Sequence, residues 1–155
     1  IREPENVEAM SAVALGSYLS GIQMAIGSCT SAHPLEHVLS AYHEKLPHGA
    51  GLIMISKAYY SHFVERHACD DQLIEMAKLM GMEEANKPED FIAALTKLQE
   101  ECGVADLKMS DYGIEPSEFS RMVQNARDTL GPNFQNDPCQ LSDEDCVSIY
   151  QKSYR

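Results

Sequence analysis

Positive charge is what this chain has least of. Its 155 residues hold 12 Lys and Arg against 24 Asp and Glu, a net charge of -12, and such a surface repels phosphate backbones and anionic membranes alike. Nucleic acid and membrane surfaces are therefore set aside as partners. Cysteine is sparse and without pattern: Cys29, Cys69, Cys102, Cys139 and Cys146 are odd in number and form no CxxC pair. That removes a zinc ribbon or a dithiol redox motif and points to reduced thiols in a cytoplasmic protein. No run shows the strict alternation or β-branched density of a strand. No Gly-rich loop follows a strand, so nothing here cradles a dinucleotide pyrophosphate, and Gly49-Ala-Gly51 is too little to replace such a loop. Internal repeats, low-complexity segments and long linkers are also missing.

What is present is apolar content at helical spacing. Hydrophobic residues make up 44% of the chain, enough to fill the core of one domain. The stretch from about Pro4 to Ser28 is apolar nearly all round, with Gly16, Ser17, Ser20 and Gly21 allowing close approach. It has about the length of a bilayer span, but Glu8 and Gln23 interrupt it and no cationic flank follows, so it is expected to be a buried helix at the centre of a bundle. A short helix is expected from Pro34 to about His43, since proline suits a first helical position. A third follows from His48 after the Lys45-Leu46-Pro47 turn.

Amphipathic outer helices are expected over Asp70 to Met80 and Glu89 to Cys102, with Gly81 and Gly103 as stops and Pro88 as a start. Pro116 opens a further helix to about Leu130, ended by Gly131-Pro132, and Ser142 with Asp145 forms a capping box for a last helix to Tyr154. The fold class is all-α, a bundle of about seven helices. The acidic pairs and the methionines are assigned to solvated helix faces and to core filling, and His62 and His67 to solvent-facing or helix-ending positions.

Four of the six histidines fall within sixteen residues, His33, His37, His43 and His48. His33 and His37 are one turn apart and can share a helix face, while His48 follows Pro47 at the mouth of the next helix. Two adjacent helix starts could thus bring three imidazoles together, and the positive ends of the helix dipoles favour the neutral ring that binds a metal. Histidines at helix starts are also common as capping residues. Spacing alone leaves both readings open and supplies half of a metal site, since a stable divalent site wants at least three protein ligands.

The run SAHPLEHVLSAYHEKLPHGAGLIM over residues 31–54 resembles the histidine signature of the iron-dependent (group III) alcohol dehydrogenases. The likeness extends along the chain to the closing LSDEDCVSIYQKSY. It implies the dehydroquinate synthase-like C-terminal domain, with His33 and His48 as two ligands of a catalytic Fe2+, or Zn2+ in some members. It further implies that His37 is a non-ligand neighbour that moves a proton or orients the alcohol, and that Phe134, in the Gly131-Pro-Asn-Phe134 stretch, lies near the substrate pocket. The metal would act as a Lewis acid toward an alcohol or aldehyde substrate, with NAD or NADP as hydride partner.

The departures from the family pattern matter equally. The family's other two metal ligands, an Asp and a His four residues later, belong to a helix that would precede Pro4, and its nucleotide-binding α/β domain precedes that. Residues 1–155 are accordingly expected to be a helical metal and substrate domain lacking that N-terminal domain, inactive by itself, with an uncovered apolar surface that favours a homodimer. The competing expectation is a self-standing helical module that binds metal or a protein partner.

Overall fold

The computed structural model describes residues 3–155. Among them there are seven α-helices and no strand: α1 (Val7–Gly27), α2 (Ala32–Tyr42), α3 (His48–Glu65), α4 (Asp70–Leu79), α5 (Glu89–Glu101), α6 (Phe119–Leu130) and α7 (Asp143–Ser153). Short 3-10 turns occupy Met109–Tyr112, Pro116–Glu118 and Gly131–Asn136. The all-α expectation holds.

The boundaries follow local chemistry. Gly81 and Gly103, at φ of 94° and 69°, take the left-handed conformation that stops α4 and α5 without a Cβ penalty. Asp70 and Asp71 occupy the first turn of α4 and Lys78 its last, each sign matched to the helix dipole. At α7 the Ser142 hydroxyl accepts from the Asp145 N–H at 3.1 Å while the Asp145 carboxylate accepts from the Ser142 N–H at 2.9 Å, a complete capping box. The helix expected to open at Pro116 does so through one 3-10 turn before becoming α6. Gly131-Pro132 ends α6 by tightening the chain into another such turn rather than releasing it.

α2 packs against α3 and α6, α3 against α5 and α7, and α6 against α7, while α4 and α5 pair beside α3. The main core lies between α2, α3, α6 and α7, where Leu35, Ile55, Phe63, Phe119, Met122 and Tyr150 are fully buried. A smaller cluster of Val64, Leu73, Ala77, Ala85 and Phe91 fills the space under α4 and α5. Burying each of the Val, Leu, Ile, Phe and Met side chains among these contributes about 1.5–3 kcal/mol. Tyr150 ties α7 to α2 by donating its hydroxyl to the Leu35 carbonyl.

One expectation is overturned. α1 is not the buried centre of the bundle: none of its 21 residues is buried, and Val13, Tyr18 and Ile26 are 70%, 66% and 84% exposed. Its start is also later than expected, at Val7, because Asn6 caps it by accepting the Ala9 N–H at 3.0 Å. The physical reason is that hydropathy measures what a helix would gain by burial, and no other described element packs along α1. By length and composition α1 is also sufficient to cross a bilayer, with mean hydropathy 1.3 in its most apolar window.

Candidate metal centre

The site is built where two helix starts meet. Ser31 precedes α2 as its cap residue, wholly buried, and its N–H donates to the Asp137 carboxylate at 2.9 Å. The Tyr59 hydroxyl donates to the same oxygen at 2.7 Å, and the Ser31 hydroxyl lies 3.3 Å from Tyr59. Asn136 donates to the Cys29 carbonyl at 2.9 Å. The loop after α6 and the middle of α3 thereby hold the entry to α2 in place, and with it His33. Burial, then the Asp137 charge, pushes the Tyr59 phenol well above the usual tyrosine range, so it stays a donor.

From that anchored entry α2 presents His33 and, one turn on, His37, while His48 is the first residue of α3. The ring of His48 lies 5.2 Å from those of both His33 and His37, centroid to centroid, and His33 and His37 are 6.0 Å apart. Each ring offers a nitrogen, and the three nitrogens lie within 4.8 Å of one another. His33 is half-buried and the other two open to solvent. Imidazole nitrogens of this softness and spacing suit iron or zinc, so the residues present fit such an ion, with two rings able to ligate it and the third beside it.

At His33 the electrostatics favour the neutral ligand form. Desolvation comes first in lowering the His33 pKa from its ordinary 6.5, followed by the neighbouring rings of His48 and His37, with Glu36 opposing. A neutral imidazole keeps the lone pair that a metal needs. Behind the rings, the carboxylate of Glu36 contacts Nδ1 of His48 and accepts from the Ser40 hydroxyl. Glu36 is fully buried.

The structure brings His33, His37 and His48 together and keeps the other candidates apart. His43, left open by sequence reasoning, pairs instead with Glu118 at 3.1 Å, joining the end of α2 to the start of α6. His67 sits in a left-handed turn after α3, φ 50°, with Nδ1 2.8 Å from Asp70. Of the two expectations for His62, the helix-ending one holds, since it lies in the last turn of α3, while the solvent-facing one does not: it is 7% exposed, packed against α7 with Nδ1 3.9 Å from Asp145. Phe134 is buried beneath the Arg127 guanidinium, 3.8 Å from its ring centroid. The hollow it helps to line, with Arg127, Gly131, Gln135, Asp137 and Gln140, contains no histidine. All five cysteines are free thiols.

Sequence reasoning missed Glu36 and Asp137. A glutamate on the inner face of an apolar helix, with Ser40 one turn on, was a visible signal for the first. Asp137 carried none, being 106 residues from the backbone it holds.

Comparison with known proteins is consistent with this geometry. Residues 1–154 match the model of the Fe-containing alcohol dehydrogenase family, C-terminal. A long-chain primary alcohol dehydrogenase, AdhA, of Thermoanaerobacter ethanolicus is 27% identical over 164 residues, covering 99% of this chain and 39% of the relative. Among solved structures, an archaeal halo-thermophilic alcohol dehydrogenase from a Red Sea brine pool, bound to NZQ, superposes with a TM-score of 0.87 at 22% identity, over 96% of this chain and 38% of its own. An alcohol dehydrogenase from Oenococcus oeni gives a TM-score of 0.74 at 19% identity, over 88% and 35%. The chain thus spans about two-fifths of the length of the curated relative.

Proposed function

Since the chain belongs to the Fe-containing alcohol dehydrogenase family, matching its C-terminal region throughout, we propose that it forms the metal and substrate half of an enzyme that moves a hydride between an alcohol and a nicotinamide dinucleotide. The observation that carries this reading is the convergence of three imidazole nitrogens within 4.8 Å of one another. His33 and His48 hold a divalent iron, or zinc. When bound, such an ion supplies Lewis-acid polarisation of the alcohol oxygen.

The chain's own residues do the rest. The Ser31, Tyr59 and Asp137 network fixes the start of α2, so that His33 meets the cluster without reorganisation. His37 projects from the same face into the space beside the other two rings, where an imidazole can orient the alcohol and carry its proton. The dinucleotide and further ligands are supplied by the remainder of a longer protein, in keeping with the share of its relatives that this chain covers. No turnover is therefore expected from the chain by itself.

The test is equilibrium dialysis against Fe2+ under argon, or against Zn2+, followed by metal analysis. Saturable uptake by the chain, abolished in His33→Ala and in His48→Ala but retained in His37→Ala, is the expected result. Equal uptake by the parent and the first two variants would refute the ligand assignment.

A further inference from the structure

We propose that Glu36 is a positioning residue for this centre: its carboxylate takes the Nδ1–H of His48 and leaves Nε2 as the nitrogen that His48 presents to a divalent cation. The inference rests on the metal reading of the cluster and adds a residue to it.

A glutamate with no exposed surface is costly unless charge or donors match it. Among the described residues no Lys or Arg pairs with Glu36. Its contacts are the Ser40 hydroxyl, on Oε1, and the His48 ring, on Oε2. Each oxygen has one donor, and the two donors come from different directions: Ser40 is one turn further along α2, and His48 opens α3. The His48 side chain is 46% exposed. One nitrogen of that ring is therefore held from the protein interior, while the ring centroid lies 5.2 Å from those of both His33 and His37.

The neighbouring helix makes room for this carboxylate. Gly51 lies in the first turn of α3, with a backbone conformation that any residue adopts, and a Cβ placed there would sit 2.6 Å from both Cγ and Oε1 of Glu36. Glycine is a poor helix former compared with alanine. Its use at this position answers to the space that Glu36 fills rather than to the backbone.

The consequence is chemical as well as steric. A neutral imidazole bears one N–H and one lone pair, and the partner of the N–H decides which nitrogen keeps the lone pair. A carboxylate on Nδ1 fixes the tautomer and the ring plane together, makes Nε2 a better donor, and brings negative charge toward a cation. Among the described residues no carboxylate hydrogen-bonds to His33 or His37, which makes His48 the ring whose direction is set in advance.

The experiment compares the chain with Glu36→Gln, Gly51→Ala and His48→Ala, using Zn2+ as the probe in competition with a chromophoric chelator. Circular dichroism reports folding, and long-range 1H–15N correlation spectra report the His48 tautomer. The expected result is the Nδ1–H tautomer at His48 in the parent and a loss of Zn2+ affinity of about 10- to 100-fold in Glu36→Gln. A loss in the same direction is expected in Gly51→Ala, where the carboxylate is chemically intact but displaced. An Nε2–H tautomer in the parent overturns the proposal, and so does a folded Glu36→Gln that binds Zn2+ as the parent does while His48→Ala does not. Failure of the parent to bind Zn2+, or unchanged binding by His48→Ala, instead overturns the metal reading beneath it, and this proposal with it.

Discussion

Replacing Tyr59 with Phe isolates the tie between the α6 to α7 loop and the entry of α2. The ring is retained, so its edge-on packing against Phe63, centroid to centroid at 4.9 Å, is unchanged. What disappears is a hydroxyl that donates to the Asp137 carboxylate at 2.7 Å and partners the buried Ser31 hydroxyl at 3.3 Å. A hydrogen bond to a charged acceptor contributes about 1.5–3 kcal/mol. The Asp137 oxygen keeps the Ser31 N–H, which limits the loss, while the Ser31 hydroxyl is left buried and unpaired, which enlarges it. The net cost comes to about 2–3 kcal/mol. For a chain of this size each kcal/mol lowers Tm by about 2–4 °C, so a fall of about 4–12 °C is expected by calorimetry. Urea unfolding followed by far-UV circular dichroism should show the same loss at unchanged slope. A loss under about 0.5 kcal/mol, the floor for a buried hydrogen bond, would show that this network does not hold the start of α2.

Ser142→Ala removes one half of the α7 capping box and is expected to cost about 1 kcal/mol in urea unfolding, whereas a neutral result would mean that α7 is held by packing alone. His62 gives a pH signature. Burial lowers its pKa first and most, Arg66 and Lys152 lower it further, and Asp145 and Glu65 oppose. Because the folded pKa lies below the ordinary 6.5, the unfolded chain binds more protons in that window. The associated stability is present in full above that value and is lost as pH falls through the folded pKa. The urea midpoint should therefore drop between pH 7.5 and 5.5 more steeply in the parent than in His62→Leu, and equal slopes would exclude His62 as a source. Finally, Val13→Lys and Ile26→Lys on α1, at side chains that are 70% and 84% exposed, should leave Tm unchanged; a drop in Tm would reveal that these side chains are packed in solution.

Legibility from sequence tracked how local the determining interaction is. Gly81, Gly103, Pro47 and the Ser142 to Asp145 box act within a few residues, so their effect on helix ends could be read directly. The meeting of His33, His37 and His48 was also accessible, because the two consecutive helices that carry them, α2 and α3, are joined only by the short segment from His43 to Pro47. His62 was misjudged because its environment is made by α7, more than eighty residues on. Asp137 was invisible for the same reason. α1 failed differently: its composition reports a wish to be covered and says nothing of whether a cover is at hand.

The isolation of α1 also decides how the molecule breathes. With no side chain buried, α1 is held against unwinding by its own backbone ladder and the Asn6 cap alone, without the tertiary packing that supplies most helical stability in proteins. Gly16 and Gly21, where an added Cβ would meet nothing within 4 Å beyond the helix's own backbone, weaken it further. Opening α1 disturbs nothing in the core, so deuterium should enter its amides long before those of α3 and α7, and a protease should clip it while the histidine-bearing bundle stays intact.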